Sequence, residues 1–397
     1  MIALARQHFN QQFSEEKYQR FLESLNKAYN HTIPFRVAET PVFVGGEFKQ
    51  KLLTAANEIV TELIAPGFSQ KMQAALPPHL AVPRESKNTL FLALDFAVCS
   101  EANGELVPRL IELQGFPSLF GYQDFLGKQF RHEYSISSNL HFHFGLDSKA
   151  YWQLLKRAIV ANHPPENVVL LEIDPYKQNT TIDFIITQQH FGIHLLHIGD
   201  VKIRGRKLFY QKDGKDVPIH RIYNRVIFDE LLQRSDLVTD FRLTEDVDVE
   251  WAGHPNWFFK ISKYSMPFLK SRAVPQSRFL NEIEHIPSDL ENYVLKPLFS
   301  FSGSGVVFNV TPQDIDNVPH SERGNFMLQK KVHYEPIVQA VDGLIKAEIR
   351  LLYVWEDGQP APRLVTNLAR LSRGEMIGVK YNKNKTWVGG TVCFFEQ

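Results

Sequence analysis

The chain has 397 residues, in which 44 Lys and Arg balance 44 Asp and Glu, with 44% hydrophobic and 12% aromatic residues. That content excludes a chain dominated by disorder, and the zero formal charge removes any global electrostatic drive toward nucleic acid or an anionic membrane. No run approaches the ~20 apolar residues of a membrane helix, and domains of about 100–200 residues would divide this length into two or three.

The N-terminus, MIALARQHFNQQFSEEKY, turns polar within a few residues, so neither a signal peptide nor a membrane helix is expected. Apolar spacing of three and four predicts helices over 15–29 and 47–64, with a strand over 41–44 between them. Residues 89–97, TLFLALDFA, predict a buried strand, Ala102-Asn103-Gly104-Glu105 a turn, and residues 106–113 the second strand of a hairpin. One acid stands in each of these strands. Cys99 and Cys393 have core-type neighbours and are expected as buried free thiols, which suits a reducing cytoplasm.

A boundary is expected near 144–149. Beyond it the sequence predicts a helix over 151–162 and a buried strand over 167–173. Strand and helix signals then alternate, with segments over 183–187 and 194–198, a charged hairpin over 202–218, a strand over 220–226 and a helix over 228–235, the pattern of a small α/β domain. From about residue 254, strands mix with Gly-rich turns.

Residues 293–308, YVLKPLFSFSGSGVVF, read as an apolar strand carrying Lys296, a loop of small residues and a second apolar strand. A P-loop and a dinucleotide fingerprint both need a helix after their glycines, so neither fits. The segment suits a flap in which the N–H groups of Ser302, Gly303, Ser304 and Gly305 fold over phosphates above the charge of Lys296. An ordinary tight hairpin is the alternative; against it stands the lysine, since a buried ammonium is costly unless something anionic pairs with it. Downstream, residues 325–337, NFMLQKKVHYEPI, form an apolar strand that turns polar and bends at Glu335-Pro336. The backbone of Gln329, Lys330 and Lys331 suits a purine edge and Glu335 suits two ribose hydroxyls, the plain alternative being a strand end.

In their order these segments resemble the ATP-grasp ligases, specifically the circularly permuted group of eukaryotic-type glutathione synthetase and glutathionylspermidine synthetase. The resemblance is carried by the Lys-Pro and Gly-rich flap, the MLQKKV hinge with Glu-Pro behind it, Glu348-Ile-Arg350, Asn367-Leu-Ala-Arg370 and Gly389-Gly390. It covers about residues 85–135 and 255–397. It implies a mixed α/β (α+β) ATP-grasp fold, circularly permuted, with 1–148 as scaffold plus metal-binding segment, 149–253 as an inserted small substrate domain, and 254–397 as the nucleotide-binding segment. It also implies ATP and Mg2+ as cofactors. Lys263, in ISKYSMPF, matches the first ATP lysine, and Glu112 and Gln114 occupy the acidic metal pair's positions. Asp95 is similar to an aspartate near the metal and the transferred phosphate, and Arg370 would touch that phosphate or the substrate carboxylate.

The implied reaction moves the γ-phosphoryl group of ATP to a carboxylate, and an amine then attacks the acyl phosphate. The implied partners are a small or peptide-like acid and amine, in the cytoplasm. Three departures bear on this. Gln114 replaces an asparagine, Ser300 and Ser302 stand where the flap usually has a glutamate, and Ala93 stands where glutathionylspermidine synthetase has an arginine, leaving Arg370 or Arg373 for the phosphate. A nucleotide-binding homologue without ligation and a non-enzymatic α/β interaction protein are the alternatives.

Other candidates are plainer. His141 and His143 share a strand face, but no further ligand lies at a useful local distance. Ser118 and Ser138 lack a nucleophile elbow. Residues 174–181 follow a buried strand, and Arg221, Tyr223 and Arg225 alternate along another, so together they either shape a second-substrate pocket or form a polar loop and a solvated face. Glu348 and Arg350 fall on one face, as a site pair or a structural ion pair.

Overall fold

The computed structural model describes residues 1–300, 304–375, 377 and 382–397. Helix α1 (Ala3–Gln12) occupies a stretch that reads as polar and is anchored by the buried Phe9 and Arg6. Helix α2 (Glu15–Ala28) begins where the Ser14 side chain accepts the Lys17 N–H, with Glu15 and Glu16 in its positive first turn. Strand β1 (Val42–Val44), helix α3 (Gly46–Ile64) and the single turn α4 (Phe68–Lys71) follow. Strands β2 (Phe91–Ser100) and β3 (Leu106–Gln114) form the expected hairpin. Periodicity does not reveal α5 (Phe120–Tyr134), because every residue from Phe120 to Gly127 is buried and no polar stripe marks the turn.

Strand β4 (Leu140–His141) and helix α6 (Ser148–Ile159) lead to β5 (Val168–Glu172), α7 (Thr181–Phe191) and β6 (His194–His197). Helix α7 covers the segment 183–187. Its Ile-Ile run has strand propensity, but the segment is buried on most sides and closes on Gly192, whose φ of 72° ends a helix. Strands β7 (Lys202–Arg204), β8 (Lys207–Lys212) and β9 (Lys215–Ile219) make an antiparallel sheet, and β10 (Arg221–Asn224), α8 (Phe228–Gln233) and β11 (Glu250–Ala252) complete this stretch. Then come α9 (Trp257–Lys260), β12 (Ser277–Phe279), β13 (Tyr293–Pro297), α10 (Pro312–Asp316) and β14 (Phe326–Lys330). The chain ends with β15 (Pro336–Ala340), β16 (Gly343–Val354), β17 (Arg363–Ser372), β18 (Gly389–Thr391) and β19 (Cys393–Glu396). The second strand expected after the flap appears as a single bridge, Val307 to Leu295.

The central sheet is antiparallel, ordered β18-β17-β16-β2-β3, with β15 also on β16. Leu92, Leu94, Phe96 and Val98 of β2 pack into a core with α3 and α5, while Phe91 and Ala93 face a second core shared with α6 and β5. A parallel sheet ordered β11-β10-β5-β6 lies behind that second core, and β12-β14-β13 form a small antiparallel sheet. Strands β1 and β4 flank β19. At Gly389, φ is 124° and a Cβ would lie 2.3 Å from the Arg36 carbonyl, so the strand end meets the N-terminal region where only glycine fits. Cys99 and Cys393 are buried free thiols. Among the described residues, no helix is long and apolar enough to cross a membrane.

Candidate functional site

The second face of the central sheet changes from apolar to charged along its strands. Phe91, Ala93, Leu352 and Leu368 belong to the core. Next to them, cross-strand register places Asp95 of β2 between Glu112 of β3 and Arg350 of β16, and Glu348 of β16 opposite Arg370 of β17. Arg350 grips Asp95 through Nε and Nη2, at 2.5 and 2.6 Å, and donates to Ser118 Oγ at 3.0 Å. Arg370 donates to Asp95 at 2.9 Å and pairs with Glu348, whose other oxygen accepts the Tyr334 hydroxyl at 2.6 Å. Glu348 and Arg350 thus share a face without pairing with each other. Arg373 lies apart, paired with Asp342.

A β-bulge connects this face to Lys296. The β2–β3 register shifts after Asp95, leaving Ile111 as the extra residue, and the Ile111 carbonyl accepts from Lys296 Nζ at 3.3 Å. Lys296 also donates to Gln329 Oε1 at 2.6 Å. Lys263 donates to the Ser300 carbonyl at 2.6 Å. The two lysines are 8% and 7% exposed, and among the described residues neither has a carboxylate within ion-pair distance.

The charges shape one another. Burial pushes the Lys296 ammonium down to about 8, with Lys263 adding to the fall and Glu112 opposing it. Burial lowers Lys263 as well. At Glu112 burial raises the carboxyl, but Lys263, Arg350, Arg370 and Lys296 together outweigh it and hold the group below its ordinary value. Burial raises Asp95 against the pull of both arginines. A narrow cavity of about 30 Å³ lies between Glu112, Gln114, Phe116, Lys263, Phe299 and Ser300.

Glu112 Oε1 accepts from Gln114 Nε2 at 2.8 Å, while Glu112 Oε2 and Gln114 Oε1 take no donor among the described residues and could hold a hard cation. Asp95, expected beside the metal, instead has both oxygens engaged by arginines. Among the described residues no group of three His, Cys, Asp or Glu is arranged to hold a metal.

Gln329 points its side chain at Lys296 and Ser277, and the N–H groups of Lys330 and Lys331 are already donated to Gln276 and Asn292. The Lys331 ammonium reaches Asn309 and sits 4.4 Å from the Phe308 ring centroid. Glu335 accepts from Ser100 at 2.7 Å, at the far end of β2. Gly305, with φ of 70°, makes a turn against Pro297 beside Ser304, whereas Ser302 and Gly303 lie outside the described residues. His143 binds Asp124. Sequence reasoning missed Tyr334 and the Ile111 carbonyl and weighed Ser118 only as a nucleophile, since cross-strand register and a bulge bring them in.

At the carboxyl ends of β5 and β10, Arg225 donates to the Pro117 carbonyl and lies between the rings of Phe116 and Phe184, while its Nε is buried without a partner among the described residues. Burial pushes the neighboring Glu172 carboxyl up to about 8. Arg221 points away, to the last carbonyls of α6 and to Glu250.

No family model matches this chain, and no curated protein matches it in sequence. In structure it is similar to a glutathione synthetase-like effector from Globodera pallida, solved in apo form, with a TM-score of 0.57 over 97% of this chain and 98% of that one. The chain has a glutathione synthetase-like fold. At 12% identity the likeness concerns the fold alone, a mixed α/β architecture.

Proposed function

We propose that the protein is an ATP- and magnesium-dependent ligase of circularly permuted ATP-grasp type, joining a carboxylate to an amine. The observation that carries this is the pair of buried lysines, Lys263 and Lys296, held by neutral oxygens beside Glu112, with no carboxylate in contact among the described residues. Two such ammonium groups suit the phosphates of a nucleotide. Magnesium, held by Glu112 and Gln114, would neutralize charge on the phosphate oxygens. Arg370, with a side chain 37% exposed, is the accessible arginine for a carboxylate, and Asp95, Glu348 and Tyr334 fix its orientation.

In this chemistry the carboxylate oxygen bonds to the γ-phosphorus as the bond to ADP breaks. The amine then bonds to the acyl carbon, phosphate leaves with the acyl oxygen, and the amine loses a proton. The chain needs no nucleophile of its own; its residues orient the reactants and exclude water. Residues 149–253, with Arg225 and the 174–181 loop at the strand ends, are proposed to receive the second substrate.

A nucleotide-binding protein without ligation is the alternative, favored by Asp95 being locked between two arginines. Thermal midpoint measurements with a non-hydrolysable ATP analogue and magnesium test the shared step. A rise that needs both components and vanishes in Lys296→Ala is expected. No rise at millimolar nucleotide would refute both versions and leave a non-enzymatic interaction protein. ADP release in the presence of paired acids and amines, lost in Glu112→Gln, then separates ligase from binder.

A further inference from the structure

A second charged group is buried far from the lysines. Arg6 of α1 is 8% exposed, and its guanidinium donates to Thr40 Oγ1 and the Pro41 carbonyl, each at 2.5 Å, and to Asn10 Oδ1 at 3.5 Å. It lies 4.9 Å from the Phe43 ring centroid and 5.4 Å from that of Phe9. Every partner is neutral. Among the described residues no carboxylate pairs with it, and its Nε takes no hydrogen bond. Burial alone pulls it down to about 9, with no acid opposing, so it stays charged at neutral pH.

A buried charge without a counterion is costly, and a guanidinium is the side chain best matched to the two oxygens of a carboxylate. Arg6 also lines a groove of about 690 Å³ between α1 and β15, with Asn10, Phe43, Ile337, Ala340 and Val341. That volume is typical of small-molecule sites, and its walls are apolar apart from amide side chains and Arg6. Val341, at the lip, is 61% exposed. The groove therefore sets one buried cation beside an apolar surface interspersed with amide side chains.

We propose that the groove between α1 and β15 binds a carboxylate with an apolar tail, the carboxylate on Arg6 and the tail along Phe43, Ile337 and Val341. This assignment is independent of the nucleotide reading. Calorimetric titration of the full chain with octanoate, 1-octanol and sodium sulfate, each alone, tests it. Saturable octanoate binding is expected, at least about tenfold tighter than either the alcohol or sulfate. Arg6→Gln should abolish it. Because Arg6 also secures residues 40–41, the second variant is Val341→Asp, which adds a repelling charge at an exposed position and leaves Arg6 in place. It should weaken octanoate about tenfold while circular dichroism is unchanged. Absence of saturable octanoate binding, equal binding of the alcohol or sulfate, or unchanged affinity in Val341→Asp would each overturn the proposal.

Discussion

Lys296 is the residue whose environment most constrains the chemistry. Its ammonium is lowered to about 8 by burial, so in the free protein it loses its proton as the pH rises through that value. Between about 8 and the ordinary lysine value the unfolded chain holds a proton that the folded chain lacks, and stability rises with pH across that window. The proposed phosphate contact would run the other way, because it needs the charged form of the lysine. Nucleotide affinity is therefore expected to fall as pH rises from about 7.5 to 9, with a flatter profile in Lys296→Arg, read by titration calorimetry across that range. A flat profile in the unmodified protein would dissociate Lys296 from the phosphates.

Glu172 offers the converse case. Its carboxyl is raised to about 8 by burial, so from about 4.5 upward the unfolded state releases a proton that the folded state keeps, and stability falls as pH rises toward 8. Glu172→Gln should remove this slope and raise stability at pH 7 by about 2–3 kcal/mol, measured as denaturation midpoints at a series of pH values. Loss of stability in the variant would mean that the ionized carboxylate is needed, as a partner for Arg225.

At the scale of elements, one carboxylate joins two helices and a loop. Asp124 of α5 accepts from His143 at 2.9 Å, Ser148 at 2.6 Å, Trp152 at 2.8 Å and Lys128 at 2.7 Å, fastening α5 to α6 and to the end of β4. Burial would raise this carboxyl, and the donors together hold it well below its ordinary value. Its contribution is present above the ordinary aspartate range and is lost as pH falls below it. Asp124→Asn should cost on the order of 3 kcal/mol, seen as a lower thermal midpoint at neutral pH that converges with the parent in acid. Gly389→Ala should be similarly damaging, since its Cβ has no room beside Arg36, and should loosen the β17–β18 pairing.

At the scale of the molecule, the site is assembled from two parts, the central sheet, itself built of two separate stretches of chain, and a third stretch. The central sheet supplies Asp95, Glu112, Glu348, Arg350 and Arg370, and the 254–300 stretch places Lys263, Lys296 and Ser300 above them. A ligand bridging the two should order both together. Hydrogen exchange at residues 111–114 and 298–300 should slow in parallel on adding ATP analogue and magnesium, while the 202–219 hairpin sheet is unaffected. Protection confined to one stretch would argue against a bridging ligand.

The sequence by itself determined the local elements with strong alternation or helical spacing, the β2–β3 hairpin and α2 and α3 among them, because those patterns depend on near neighbors. It also carried the residue types of the site, an acid on each strand of one hairpin and a lysine inside an apolar strand. Helices α5 and α7 escaped because burial on most sides erases the polar stripe that marks a helix. Only the tertiary structure decided that Asp95 meets Arg350, 255 residues away, that Ile111 bulges to meet Lys296, and that two lysines and Arg6 are buried with no acid paired to them among the described residues. Those are facts of register and of which surfaces close on each other, set by long-range packing that no local pattern records.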